Sequence, residues 1–232
     1  MTGALKGDLQ ILLRMLRGRS RRGSHQQQLE DFYGPQAANY DGFRERLLHG
    51  RREMLEQMRI LPDMSVVELG AGTGQNLRYL AFPLHRYGKI DVVDLCPSLV
   101  SISRQRYQSL DNISVIEADA TTYHPDVPVD RVYFSYALTM MPDWRRVIDN
   151  ALAMLKPGGL IGVVDFYISA STVTDQQVRH GYLEIKFWQG WFAHDGVNLT
   201  PEHIDYLQSV SNTVSLQESR GCVPYLPYLK AP

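Results

Sequence analysis

Short apolar runs alternate along this chain with stretches whose apolar positions recur every three to four residues. The runs 65–69, 89–94, 113–117, 130–135 and 159–165 have the length and β-branched content of buried strands. Between them, residues 75–82, 97–109 and 143–155 follow helical spacing, and Lys156-Pro157-Gly158-Gly159 stops the last helix and turns into the fifth strand. Strands that alternate with helices pair in parallel through right-handed crossovers. Ahead of the sheet, His25 to Tyr33 is broken by Gly34-Pro35. Residues 36–59 then carry Tyr40, Phe43, Leu47 and Leu48 at helical intervals, predicting two or three leading helices. Beyond the fifth strand come an aromatic-rich insert over 180–194 and a helix start at Thr200-Pro201-Glu202. Thr213–Leu216 and Cys222–Leu226 are positioned to form a closing antiparallel hairpin. The pattern predicts an α/β fold with a seven-stranded, mostly parallel sheet, helices on both faces and further helices at the N-terminus.

At 232 residues the chain suits one such domain, assigned to 25–232, preceded by a basic amphipathic segment over 1–24. Residues 1–23 hold six basic side chains and one acid, a balance of +5, which leaves −6 on the remainder. Leu5, Leu9, Leu12, Leu13 and Leu16 form one stripe of this segment, and Lys6, Gln10, Arg14, Arg17 and Arg21 another. Such a helix can lie in a membrane interface among anionic lipids, or remain a solvated extension or an oligomer contact. It makes a poor signal peptide, because Arg14 interrupts the apolar stretch. It lacks the aromatic platform of a nucleic-acid site. Two cysteines, Cys96 and Cys222, are too few for a disulfide framework, and no zinc-type spacing is present. No run of about 18 apolar residues is long enough to span a bilayer. The expected location is cytoplasmic, peripheral at the inner face of the membrane.

The chemistry concentrates in Val66-Val67-Glu68-Leu69-Gly70-Ala71-Gly72-Thr73-Gly74. Alternate glycines after a buried strand let the backbone turn sharply and approach a ligand. A pyrophosphate fingerprint wants G-x-G-x-x-G, which would place a glycine at position 75, but Gln75 stands there and Gly74 precedes it. The spacing instead resembles the E/D-x-G-x-G-x-G turn of class I methyltransferases, a Rossmann-like fold whose ligand is S-adenosylmethionine. That resemblance makes Glu68, Gly70, Ala71, Gly72, Gly74 and Asn76 candidates for cofactor binding. Asp94 ends the second strand twenty residues beyond Gly74, where doubly wound folds place the acid that holds ribose hydroxyls, with Leu95 packing on adenine. Asp119 and Ala120 follow the third strand and are candidates for the adenine edge, and Ser135 ends the fourth beside the methyl group. Tyr136, Asp165 and Tyr40 are the candidate catalytic residues, since methyl transfer to an amine requires the acceptor to be aligned and water excluded. Tyr33, Trp188 and Trp191 offer rings to a cationic product, and His194 is a candidate for deprotonation.

Several longer segments carry a closer likeness. Phe32-Tyr33, Gln36-Ala37, Tyr40-Asp41 and Leu47-Leu48-His49-Gly50-Arg51 are similar to the leading segment of BtaB-type betaine-lipid methyltransferases. So are 92–99, 134–142, 162–166 and the tail 223–232, although a further short aromatic stretch is expected after Pro232 and the basic segment has no counterpart. The resemblance implies three N-methylations of diacylglyceryl-homoserine to diacylglyceryl-N,N,N-trimethylhomoserine. It implies as partners the lipid and the enzyme that makes the homoserine lipid, and the leucine-and-arginine segment 1–23, read on its own composition, offers such a chain a dock on the membrane surface. Methylation of phosphatidylethanolamine or a soluble amine, and a non-catalytic cofactor-binding subunit, are the alternatives.

Overall fold

The computed structural model describes residues 23–39, 41, 42, 45, 48–168, 180–194, 196–211, 216–220 and 227–231. The basic segment through residue 22, Tyr40, Phe43, Leu47 and most of the predicted hairpin lie outside them.

Seven strands form one sheet in the order β3-β2-β1-β4-β5-β7-β6. They are β1 (Val66–Leu69), β2 (Ile90–Asp94), β3 (Ile113–Glu117), β4 (Val129–Ser135), β5 (Leu155–Phe166), β6 (Gln217–Arg220) and β7 (Pro227–Ala231). β1 to β5 run parallel, and β7 pairs antiparallel with β5 and β6. The expected fold class is the observed one: a doubly wound α/β sheet.

The alternation of side chains along the strands sorts the core into two layers. Val67, Leu69, Val93, Val132 and Phe134 face one side. There they meet Trp144, Val147, Ile148 and Ala151 of α4 (Trp144–Ala153) and Ile204 and Leu207 of α6 (Glu202–Val210). Val66, Ile90, Val92, Tyr133 and Val164 face the other, against Met54 and Leu55 of α2 (Arg51–Gln57), the Met58 that caps it, and Tyr107 of α3 (Pro97–Tyr107). With both faces covered, all four residues of β1 are buried.

α1 (His25–Tyr33) starts on a capping box, with Ser24 Oγ accepting from Gln27 N at 3.2 Å and Gln27 Oε1 from Ser24 N at 2.8 Å. It is clamped to the sheet edge by Gln26, which donates to Glu117 at 2.9 Å. Glu30 accepts from Ser98 N at 3.0 Å, from Ser98 Oγ and from the Cys96 thiol, so α1 supplies the cap that the start of α3 lacks.

Three elements differ from expectation. The helix predicted over 75–82 is a 3₁₀ turn over Gln75–Tyr79, with Leu80 already extended at ψ 140°. β5 starts at Leu155 instead of 159: Val129 pairs with Leu155 and Arg131 with Leu160, so Lys156–Gly159 bulges out of an otherwise continuous strand. The closing hairpin exists but lies later, at Gln217–Arg220 and Pro227–Ala231. No helix among the described residues is long and apolar enough to cross a membrane.

Gly74 shows how tightly α3 seats against the turn. At φ +68°, a Cβ there would lie 2.7 Å from Ser103 Oγ and 2.8 Å from the Tyr107 ring. Gly158 has a similar φ of +78° with nothing within 4 Å. Gly74→Ala is expected to cost about 2–5 kcal/mol in urea unfolding, strain plus overpacking. Gly158→Ala should cost only the strain, about 1 kcal/mol. Equal losses at the two positions would contradict this packing account.

Candidate active site

The end of β1 leaves the sheet through Gly70, Gly72 and Gly74 at φ +70°, +59° and +68°. Gly70 N and Ala71 N still donate to Val93 O at 2.9 and 3.0 Å, so the turn stays sewn to β2. Asp94 completes the stitch. Its Oδ2 accepts from Gly72 N at 2.6 Å and its Oδ1 from Cys96 N at 2.8 Å. Burial pushes the Asp94 carboxyl above the usual carboxylate range, against the opposing pull of these N–H groups.

Two cavities open beside this turn. The larger, about 280 Å³, takes in Gly70, Gly72, Asp94, Leu95, Asp119, Ala120 and Tyr136 of the residues predicted from sequence. The smaller, about 40 Å³, takes in Gly70, Ala71, Gly72, Asn76, Ser135 and Tyr136. Gly70, Gly72 and Tyr136 belong to both and mark their junction. Ser135 Oγ is buried with no hydrogen-bond partner among the described residues. Tyr136 sits at φ +55°, donates its phenol proton to His49 O at 2.6 Å, and lays its ring 4.8 Å from that of Phe166. Asp119 Oδ1 accepts from Thr121 N at 2.8 Å, holding the far rim of the larger cavity in a turn.

Of the expected catalytic and cofactor residues that are described, Asp165, Glu68 and Gly74 line neither cavity. Asp165 is buried, and its oxygens accept from Thr139 N at 3.0 Å, Thr139 Oγ1 at 2.8 Å and Phe166 N at 2.8 Å. It fixes the 3₁₀ turn that carries Met140, a residue of the larger cavity wall, so the structure places this expected catalytic residue in a positioning role. Glu68, also fully buried, accepts from Asn76 Nδ2 at 2.6 Å and Tyr133 OH at 2.8 Å. Gly74 is used for packing, its carbonyl accepting from Tyr107 OH at 2.6 Å. Tyr40 and the His194 side chain lie outside the described residues. Trp188 and Trp191 line neither cavity, whereas Tyr33 lines the larger and donates to Met140 Sδ at 3.0 Å.

Sequence reasoning missed Arg51. It is 6% exposed, donates to Leu48 O at 3.0 Å and Asn76 Oδ1 at 3.2 Å, and lines the smaller cavity with Asp41 and Thr73. It extends a buried chain of hydrogen bonds, Arg51–Asn76–Glu68–Tyr133, from α2 through the turn to β4. Also missed were His25 and Leu29, which with Tyr33 make the α1 wall of the larger cavity. Their spacing of four residues was a legible signal of one helix face. Among the described residues no cluster of three or more His, Cys, Asp or Glu is arranged to hold a metal.

Burial raises Glu68 to about 7 and Asp165 to about 6. A carboxyl whose folded value is raised holds its proton more tightly in the native state, so its stabilisation is lost as pH rises through that value. Burial lowers His203 to about 4, which costs stability as pH falls below its ordinary 6.5. The clean window for Glu68 is therefore about pH 6.5 to 8. Wild-type urea resistance should fall as pH rises across it, and Glu68→Gln should flatten that slope. An identical slope in the variant would show that Glu68 is ionised throughout.

Residues 66–159 match the family described as a methyltransferase domain. A curated relative, the ubiquinone/menaquinone biosynthesis C-methyltransferase UbiE of Hydrogenovibrio crunogenus, is 28% identical over 63% of this chain and 59% of its own length. The demethylmenaquinone methyltransferase of Listeria welshimeri is 25% identical over 50% of each. The chain thus spans between half and three-fifths of these relatives. Among solved structures, the Haloferax volcanii putative methyltransferase complexed with the Trm112 activator has a TM-score of 0.65 at 19% identity, covering 88% of this chain and 96% of that one. A Haemonchus contortus phospholethanolamine N-methyltransferase, complexed with S-adenosylhomocysteine, has a TM-score of 0.65 at 13% identity, covering 85% and 47%. The described residues suit that cofactor: two joined cavities at the carboxyl ends of β1, β2 and β4, a glycine turn, a strand-end carboxylate and a buried serine oxygen with no partner among them. The fold is thus the Rossmann-like fold of class I methyltransferases, and residues 66–159 of this chain match a methyltransferase domain.

Proposed function

We propose that this chain methylates the amine of a lipid headgroup, and that the acceptor is diacylglyceryl-homoserine, carried through three methylations to the trimethylated betaine lipid. One observation supports this reading above others. The segments that resemble betaine-lipid methyltransferases converge on the cavity junction. Leu48 and Arg51 line the smaller cavity, Asp94 to Cys96 with Leu99 line the larger, and Tyr136 to Pro142 run past the point where they meet.

S-adenosylmethionine supplies, when bound, an electrophilic methyl group on a sulfonium. In this reading Arg51, Thr73 and Ser135 would hold its amino-acid end in the smaller cavity. Asp94 would take the ribose in the larger: each of its oxygens accepts a backbone N–H and keeps a lone pair for a hydroxyl. Asp119 and Leu95 would hold the adenine. The methyl group then falls near Tyr136, the side chain the cavities share. With its phenol proton committed to His49 O, Tyr136 offers the acceptor an aromatic wall, which stabilises developing positive charge. Asp165 is committed to Thr139 and lines neither cavity, and an α-amino group titrating near about 8 loses its proton to water without a dedicated base.

The names of the curated relatives favour a second reading, carbon methylation of a quinone precursor. Incubation with methyl-labelled cofactor and diacylglyceryl-homoserine, phosphatidylethanolamine or demethylmenaquinone separates the readings. Label is expected in the homoserine lipid; label in demethylmenaquinone alone would overturn the proposal. Arg51→Met should weaken S-adenosylhomocysteine binding by about tenfold in calorimetry, the scale of one buried charged hydrogen bond. Tyr136→Phe should keep most activity, whereas Tyr136→Ala should lower kcat about a hundredfold. Equal losses in the two tyrosine variants would assign the function to the hydroxyl.

A further inference from the structure

α5 (Tyr182–His194) follows β5 and precedes α6. Its inward side carries Ile185, Trp188 and Phe192, packed with Ile168, Val197 and Leu199. Its outward side is equally apolar. Leu183, Phe187 and Trp191, spaced four apart, are 80%, 58% and 48% exposed, and Tyr182 on their shoulder is 72% exposed. A helix that is apolar all round belongs in apolar surroundings on every side, and half of this one faces solvent.

The chemistry of the outward face narrows what covers it. Its one charged side chain among the described residues is Lys186, whose ammonium stands 5.8 Å from the centre of the Tyr182 ring. Glu184 is half-buried and accepts from Gly181 N at 3.3 Å. Leucine and phenylalanine flanked by tryptophan, tyrosine and a lysine is the composition of a bilayer interface, where the rings sit at headgroup level and the cation meets lipid phosphate. A second copy packed through the same face across a two-fold axis would set this lysine against a surface without an acid. At 13 residues the helix is roughly 20 Å long, enough to lie in an interface and too short to cross one.

The position also fits. Ring contacts run from α5 towards the cavity junction, Trp188 to Phe192 at 6.1 Å, Phe192 to Phe166 at 4.9 Å and Phe166 to Tyr136 at 4.8 Å. We propose that α5 docks this chain on a lipid bilayer, lying flat with Leu183, Phe187, Trp191 and Tyr182 in the boundary between headgroups and acyl chains. The inference rests on the lipid reading of the acceptor. Docking delivers the headgroup beside Tyr136 while the acyl chains stay in the membrane.

The test is co-sedimentation of the full chain with phosphatidylcholine vesicles containing a quarter phosphatidylglycerol. It is read together with tryptophan emission, circular dichroism and S-adenosylhomocysteine affinity. Wild type should bind with a blue shift. Phe187→Ser/Trp191→Ser, and separately Leu183→Glu, should bind at least about tenfold more weakly, with dichroism and cofactor affinity unchanged. Unchanged sedimentation of the variants would overturn the proposal. So would a wild-type dimer that these variants dissociate, or vesicle binding that is lost entirely when residues 1–22 are removed with α5 intact. Because no turnover is measured, failure of docking and failure of the lipid acceptor are read separately.

Discussion

The cavity pair depends on one carboxylate. Asp94 takes an N–H from the β1 turn with one oxygen and an N–H from the start of α3 with the other. The glycine turn after β1 and the start of α3 are thereby held at a fixed spacing beside the cavities. Parallel sheets leave unpaired backbone groups at their carboxyl ends, and a fold that binds there must satisfy some of them without filling the space. Asp94 does both, at the cost of a buried charge, which the raised pKa direction registers.

A second buried acid supports the first from beneath. Glu68 grips Asn76 and Tyr133, and Asn76 in turn receives Arg51, so the floor of the smaller cavity is a network spanning α2, the turn, β1 and β4. The division of labour follows from burial. Acids that face the sheet interior, Glu68 and Asp165, shape the walls, while the strand-end acids Asp94 and Asp119 remain on the cavity surface. α1 closes the larger cavity because Glu30 binds it to the head of α3, which ties a leading helix to the site although the sheet is complete without it.

The parallel strands were legible because buried strands read as dense β-branched runs. Gly70, Gly72 and Asp94 were legible because they occupy fixed places relative to those strands. Asp165 misled for the same reason: a strand-end carboxylate looks identical in sequence whether it turns towards the ligand or towards Thr139. Arg51 stayed hidden because its partner Asn76 is twenty-five residues away, and no local pattern records that contact. The final hairpin was displaced because apolar content was the guide, whereas Gln217-Glu218-Ser219-Arg220 is a polar edge strand of the kind that avoids unwanted pairing.

With α5 linked to the cavity junction through Phe192 and Phe166, the molecule joins an apolar outer surface by an aromatic path to the pair of cavities. That arrangement has meaning only if the turn after β1 receives a sulfonium nucleoside. Calorimetric titration of the wild-type chain with S-adenosylhomocysteine and, separately, with NAD tests this most directly. Saturable one-to-one binding of S-adenosylhomocysteine with no heat from NAD is the predicted result. Saturable binding of NAD with none of S-adenosylhomocysteine would contradict the account.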